Sequence, residues 1–176
     1  MKKSAQDSMK TSLNSQTTLI SEYVSHQEDL LKKFSISPII IDYLKDLNNK
    51  DKQLKAQQFT ENYFKGLDNW EGIYSGEWNT HVVTHSNPKV VGMTTRKGDS
   101  LKALQNAMKE NNGLYNAGII VSPASQKLIL SMYCPVYDTD GSTIVGYVGG
   151  GPYMEKLERL LNETKKTTKN LYNIRC

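Results

Sequence analysis

Arg96 stands in the stretch "GMTTRKGDS" behind Thr94 and Thr95, and it is the only arginine between residues 70 and 152. A guanidinium offers a planar fork of N–H donors that matches a carboxylate, so Arg96 is either a plain surface arginine of a loop or, where that loop meets a ligand, a carboxylate anchor. Further on, "SMYCPVYDTDGSTIVGYVGGG" (residues 131–151) alternates two kinds of side chain. Met132, Cys134 and Val136 fall on one face of a strand, Ser131, Tyr133 and Tyr137 on the other. The second face is too polar for a core and too aromatic for plain solvent, and it suits a small polar ligand. Ser122 is expected to reach a similar height from a neighbouring strand, and Tyr147 stands two residues before the glycines. Tyr74, Trp78 and Tyr115 sit near strand ends, where they serve either a core or the rim of a pocket.

Other groupings carry less chemistry. Gly149, Gly150 and Gly151 lack the following Lys-Ser/Thr of a phosphate loop, and Pro152 removes an N–H. They read as a strand turning sharply into a helix, with the added freedom that a ligand can approach bare backbone closely. His81 and His85 share one face of a strand, but no third ligand is fixed near them, so no metal is expected. Asp138, Asp140 and Gly141 resemble the start of a calcium loop, yet its twelfth position is Gly149 where a Glu is required. Cys134 lies on the apolar face before Pro135 and reads as a buried thiol rather than a nucleophile. No Ser-His-Asp set or carboxylate pair stands out, so neither catalysis nor a cofactor is expected.

Composition narrows the class. The chain has 176 residues, 38% hydrophobic and 23% charged, enough for one ordinary domain with a helical extension. No window approaches the length of apolar sequence that spans a bilayer, and "MKKSAQDSMKTSLNSQ" has no apolar run behind its basic opening. The net charge of +4 is spread over separate lysine groups rather than gathered into a nucleic-acid footprint. Cys134 and Cys176 alone make no disulfide framework.

These residues need elements to hold them. Met9, Leu13, Ile20, Val24, Leu31 and Phe34 recur at helical spacing, which predicts one long helix over residues 6–34. Its stripe is narrow and interrupted by Gln16 and Gln27, so Leu13, Ile20 and Leu31 should stay partly uncovered and support a weak homodimer. Pro38 opens a short helix, and a third follows "NNKD" with Leu54, Ala56, Phe59, Tyr63 and Leu67 on its buried side. Strands are expected in "WEGIYSGEW", "HVVTHS", "LYNAGIIVS", "KLILSMYCPVY" and "TIVGYVGG". A helix capped by Asp99 or Ser100 lies between the second and third, and another begins at Pro152. "DTDGS" makes the tight turn of the central hairpin. The fold class is α+β: an antiparallel sheet of about five strands with a long N-terminal helix and flanking helices. Residues 1–34 form a stalk helix, 35–162 the domain, and 163–176 a basic linker with the first half of a strand, "LYNIRC".

"PVYDTDG" followed by "GYVGGG", together with the passage "HSNPKVVG", resembles the Cache domain, the extracytoplasmic sensor module of bacterial chemoreceptors, sensor kinases and diguanylate cyclases. The resemblance covers roughly residues 8–162. It implies a PAS-like sheet holding a small molecule between one face and the loop and helix that cross it. It also implies membrane anchoring in a longer receptor, although no transmembrane helix precedes the long helix in this sequence. The expected ligand-binding set, from alternation, strand-end placement and this frame together, is Tyr74, Trp78, His85, Arg96, Tyr115, Ser122, Ser131, Tyr133 and Tyr147. The ligand would be an amino acid, organic acid, amine or similar solute. A small enzyme using Cys134 with a histidine, and a stalk without ligand, are the readings from other classes.

Overall fold

The computed structural model describes residues 2–110 and 113–173. Its elements, in order, are α1 (Lys2–Ser35), α2 (Pro38–Leu44), α3 (Lys50–Lys65), β1 (Trp70–Gly76), β2 (Val82–His85), α4 (Gly98–Glu110), β3 (Tyr115–Val121), β4 (Leu128–Tyr137), β5 (Ile144–Pro152) and α5 (Glu155–Asn173). The five strands form one antiparallel sheet in the order β2-β1-β5-β4-β3. The α+β class and the antiparallel sheet of about five strands expected from the sequence are both present, and the sheet is open.

Residues 28–153 form one compact unit. On one sheet face Ile73, Met132, Val136 and Val148 are fully buried, as are Leu31 and Phe34 of α1, Ile40 of α2 and Ala56 of α3. Phe34, Phe59 and Tyr63 cluster with ring centroids 5.1–5.9 Å apart. Polar groups inside this layer are satisfied: Thr60 of α3 donates to the Ala56 carbonyl or to Thr84, and Thr84 meets Ser75 at 2.6 Å. The outer edge of β2 is capped rather than left open. The Gln57 amide of α3 donates to the His85 carbonyl at 2.7 Å and accepts from the His85 N–H at 3.1 Å, standing in for a neighbouring strand.

The second unit joins residues 1–27 with 154–176 and is helical over its described part. Among the described residues no helix is long and apolar enough to cross a membrane.

Several expectations are corrected. Residues 163–173, read as a linker and an opening strand, continue α5. The segment has no Gly or Pro, and Thr164 and Thr167 bond back to carbonyls four residues earlier, so the threonines do not break the helix. The rest of "LYNIRC", from residue 174 and including Cys176, lies outside the described residues. Leu54 is 67% exposed, while Thr60 takes the buried position that helical spacing from Ala56 allots. Leu31 is fully buried rather than partly uncovered. Helix α4 begins at Gly98, so Asp99 and Ser100 lie in its first turn instead of capping it. Helix α5 begins after Met154, because β5 runs on through Pro152.

Candidate functional site

The other sheet face carries a continuous row of matched positions. His85 pairs with Tyr74, Tyr74 with Gly149, Gly149 with Tyr133, and Tyr133 with Tyr115. Four rings from four strands therefore stand side by side, with a glycine at the centre. Tyr74 stacks on His85 at 5.3 Å, and Tyr115 on Tyr133 at 6.2 Å. A Cβ on Gly149 would land on the Tyr74 phenol, so glycine is what lets that ring lie across the middle strand. Tyr147, one row along on the same strand and face, meets Tyr74 edge-on at 5.9 Å. Leu104 and Met108 of α4 cross over and pack on Tyr133 and Tyr147, with Trp78 and Tyr115 alongside.

Arg96 is aimed at this row from the loop before α4. Its backbone is fixed by Thr80, whose hydroxyl accepts from the Arg96 N–H at 3.0 Å and approaches the Arg96 carbonyl at 3.2 Å. Thr80 is fully buried and holds φ +70°, a strained setting that makes the loop's course specific. The guanidinium donates to Tyr133 Oη and to Ser100 Oγ, both at 3.2 Å, and lies 5.6 Å from the Tyr133 ring centroid. Two of its five N–H donors are thus engaged and the rest of the fork is available. Ser131 donates to Tyr133 Oη at 3.1 Å, which puts a serine, a tyrosine and an arginine in one cluster.

Burial shifts three titratable groups on this face toward their neutral forms, while Arg96 supplies a charge and Lys109 lies 5.8 Å over the Trp78 ring. Burial pushes the Tyr147 hydroxyl up to about 12. Burial, with Tyr147 and Tyr133 beside it, pushes Tyr74 well above the ordinary phenol range. Burial drives His85 down to about 4, with Glu71 opposing. The His85 Nδ1 accepts from the Asn87 N–H at 2.8 Å, which leaves the proton on Nε2. One group is unsatisfied: Tyr147 Oη is buried and has no hydrogen-bond partner among the described residues, although Thr95 and Tyr74 approach it.

Eight of the nine residues singled out from the sequence thus gather on this face: Tyr74, Trp78, His85, Arg96, Tyr115, Ser131, Tyr133 and Tyr147. Ser122 does not stand level with them. The β3–β4 register sets Tyr115 opposite Tyr133 and Val121 opposite Leu128, so Ser122 lies beyond the far end of β3. Its hydroxyl donates to Glu71 at 2.9 Å, and Ser125 donates to the other Glu71 oxygen at 2.5 Å. Glu71 went unremarked in the sequence because strict alternation sets it opposite to Tyr74 on β1. A register shift between Trp70 and Gly72 breaks that alternation. His81 Nδ1 lies 3.0 Å from the Thr94 hydroxyl in an exposed contact. Cys134 is on the opposite sheet face, 4% exposed, with its thiol donating to the Gly113 carbonyl and its pKa raised by burial.

This fold recurs in solved structures. It superposes on the sensor domain of the Vibrio cholerae histidine kinase DctB with a TM-score of 0.69 at 11% identity, covering 89% of this chain and 59% of that one. The ligand-binding domain of the Campylobacter jejuni chemoreceptor Tlp3, in complex with L-norvaline, gives 0.66 at 15%, covering 90% and 62%. The Escherichia coli DcuS sensor domain gives 0.55 at 17%, covering 84% and 97%. The fold is that of the Cache sensor domains. This chain spans about three fifths of the DctB and Tlp3 domains and nearly all of the DcuS domain. No protein-family model matches the sequence, and no curated protein matches it either.

Proposed function

We propose that this chain is the ligand-sensing part of a bacterial membrane receptor of the chemoreceptor or sensor-kinase kind. In this reading it works outside the cytoplasm, binds a small carboxylate-bearing solute and catalyses nothing. The observation that carries the reading is the Tyr147 hydroxyl, buried beside the Arg96–Tyr133–Ser131 cluster with no hydrogen bond formed among the described residues. Leaving such a group unpaired costs on the order of 1–3 kcal/mol, a penalty that a bound ligand relieves. Arg96 supplies the charge and fork geometry for a carboxylate, and the tyrosine row supplies flat apolar walls with hydroxyl tips. The placement of Cys134 on the opposite face, with a raised pKa, supports the absence of thiol chemistry.

A route from the site to α1 supports the signalling part of the proposal. The His85 ring stands in the row while its backbone is clamped by Gln57 of α3. Six residues further along α3, Tyr63 donates to the Leu30 carbonyl of α1 at 2.5 Å. A ligand that favours one setting of β2 thereby biases α3 and, through it, α1, which is a population shift between two arrangements. Thermal denaturation across a panel of organic acids, amino acids, amines and purines tests the ligand class. Carboxylates should raise the melting temperature in a concentration-dependent way. Stabilisation by amines or neutral solutes alone would contradict the carboxylate reading.

A further inference from the structure

The two edges of the sheet are finished differently. Gln57 closes the outer edge of β2, whereas among the described residues no backbone group outside the sheet bonds to β3 over Ile119–Val121. Edge strands are usually blunted by charge, proline or a covering element. β3 has only a bulge between Asn116 and Gly118, where the Asn116 side-chain oxygen accepts from the Gly118 N–H at 2.9 Å. Beyond it Ile119, Ile120 and Val121 run in regular register against Leu130, Ile129 and Leu128. Residues 114–126 contain no charged side chain, and the ammonium of Lys127, which follows, lies 5.2 Å from the Tyr153 ring centroid. Ile119 and Val121 are 59% and 58% exposed, and Leu128, paired with Val121, is 44% exposed.

The backbone favours one register. The Ser122 N–H points inward and donates to the Lys127 carbonyl at 2.9 Å. Inward and outward groups alternate along an antiparallel edge strand, so Ile120 also bonds inward while the N–H and C=O groups of Ile119 and Val121 point away from β4. We infer that the outer edge of β3 is a self-pairing surface, to which a second copy of this chain adds its own β3 antiparallel, with the twofold axis at Ile120. Ile119 of each copy exchanges both backbone bonds with Val121 of the other, and the two Ile120 residues face each other as the non-bonded pair. Ile119, Val121 and Leu128 of both copies then share one sheet face as a single apolar patch. An uncharged strip suits a copy of itself, because no like charges meet across the twofold. The contact is isologous and closes as a dimer. An edge this short buries less than the roughly 1,200 Å² of a standard interface, so the pairing depends on concentration.

Hydrogen exchange on the parent needs no substitution: raising the concentration should slow the Ile119 and Val121 amides at least about tenfold. Sedimentation uses the full chain carrying Leu13→Lys, which removes the apolar strip of α1 as a second route to association, and should show dimer growing in up to about 1 mM protein. Adding Ile119→Lys, at a position already more than half exposed, should leave the melting temperature unchanged and the chain monomeric. Ile120→Cys in a Cys176→Ser background should oxidise to a covalent dimer, because a non-bonded antiparallel pair holds its Cα atoms about 4.5 Å apart. Lys102→Cys, exposed on α4, should not. Unchanged exchange at both amides, open-ended oligomers in place of a dimer, dimerisation that survives Ile119→Lys, or equal cross-linking of the two cysteine variants would overturn the inference.

Discussion

At the scale of single residues, the site makes demands that do not all point the same way. Tyr147→Phe deletes an unpartnered buried hydroxyl, so the ligand-free protein should gain about 1 kcal/mol of stability while losing affinity. Opposite movements of the urea midpoint and the binding constant are what this account expects; a loss in both would mean that the hydroxyl has an internal partner. Tyr133→Phe should weaken binding by about 1 kcal/mol, since one hydroxyl goes while the ring and its stacking on Tyr115 remain. His85 gives a pH signature. Its folded pKa of about 4 lies below the unfolded value near 6.5, so the unfolded chain takes up the proton first as pH falls. Its contribution is therefore complete above about pH 6.5 and is lost on the way down to about pH 4, amounting to about 2 kcal/mol after discounting the ring's partial exposure. Urea titrations at pH 7, 5.5 and 4 should show this loss in the parent and a smaller one in His85→Gln.

At the scale of elements, glycines and one glutamine set how the row is built. Gly149→Ala should tilt Tyr74 off the middle strand, costing about 1–3 kcal/mol of stability and roughly tenfold in affinity. Gln57→Ala removes both side-chain bonds to His85, leaving the edge of β2 open. It should cost about 1–2 kcal/mol of stability. It should also reduce any ligand-induced change in hydrogen exchange at residues 28–35, and an unchanged exchange difference would contradict the α3 route. The strands and the face of β4 were legible from alternation, because Ser131 and Tyr133 against Met132 and Cys134 is a period of two with few exceptions. The ring row was not, since it depends on the registers of four strand pairs. Glu71 was hidden by a bulge, which no alternation rule detects. The extent of α5 was misread because basic and threonine-rich composition resembles a linker, whereas the absence of Gly and Pro was the better guide.

For the whole molecule, α1 carries apolar side chains that the chain itself leaves uncovered. Met9 and Leu13 are 56% and 61% exposed, and Ile20 is 37% exposed. Leu31 has been removed from that stripe by burial, so the apolar strip lies within residues 9–20 and is shorter than the helical spacing alone suggests. We expect weak, concentration-dependent dimerisation through this strip, with Leu13→Lys abolishing it and leaving ligand affinity unchanged. Sedimentation of the parent as a monomer at all concentrations, with and without ligand, would count against it. The central claim concerns what the aromatic face does, and calorimetric titration of the parent and Arg96→Ala with the best solute from the thermal panel tests it most directly. The account predicts a loss of about 2–4 kcal/mol for Arg96→Ala, with Arg96→Lys recovering only part because a point charge cannot reproduce the bidentate fork. Equal affinity of Arg96→Ala and the parent would contradict it.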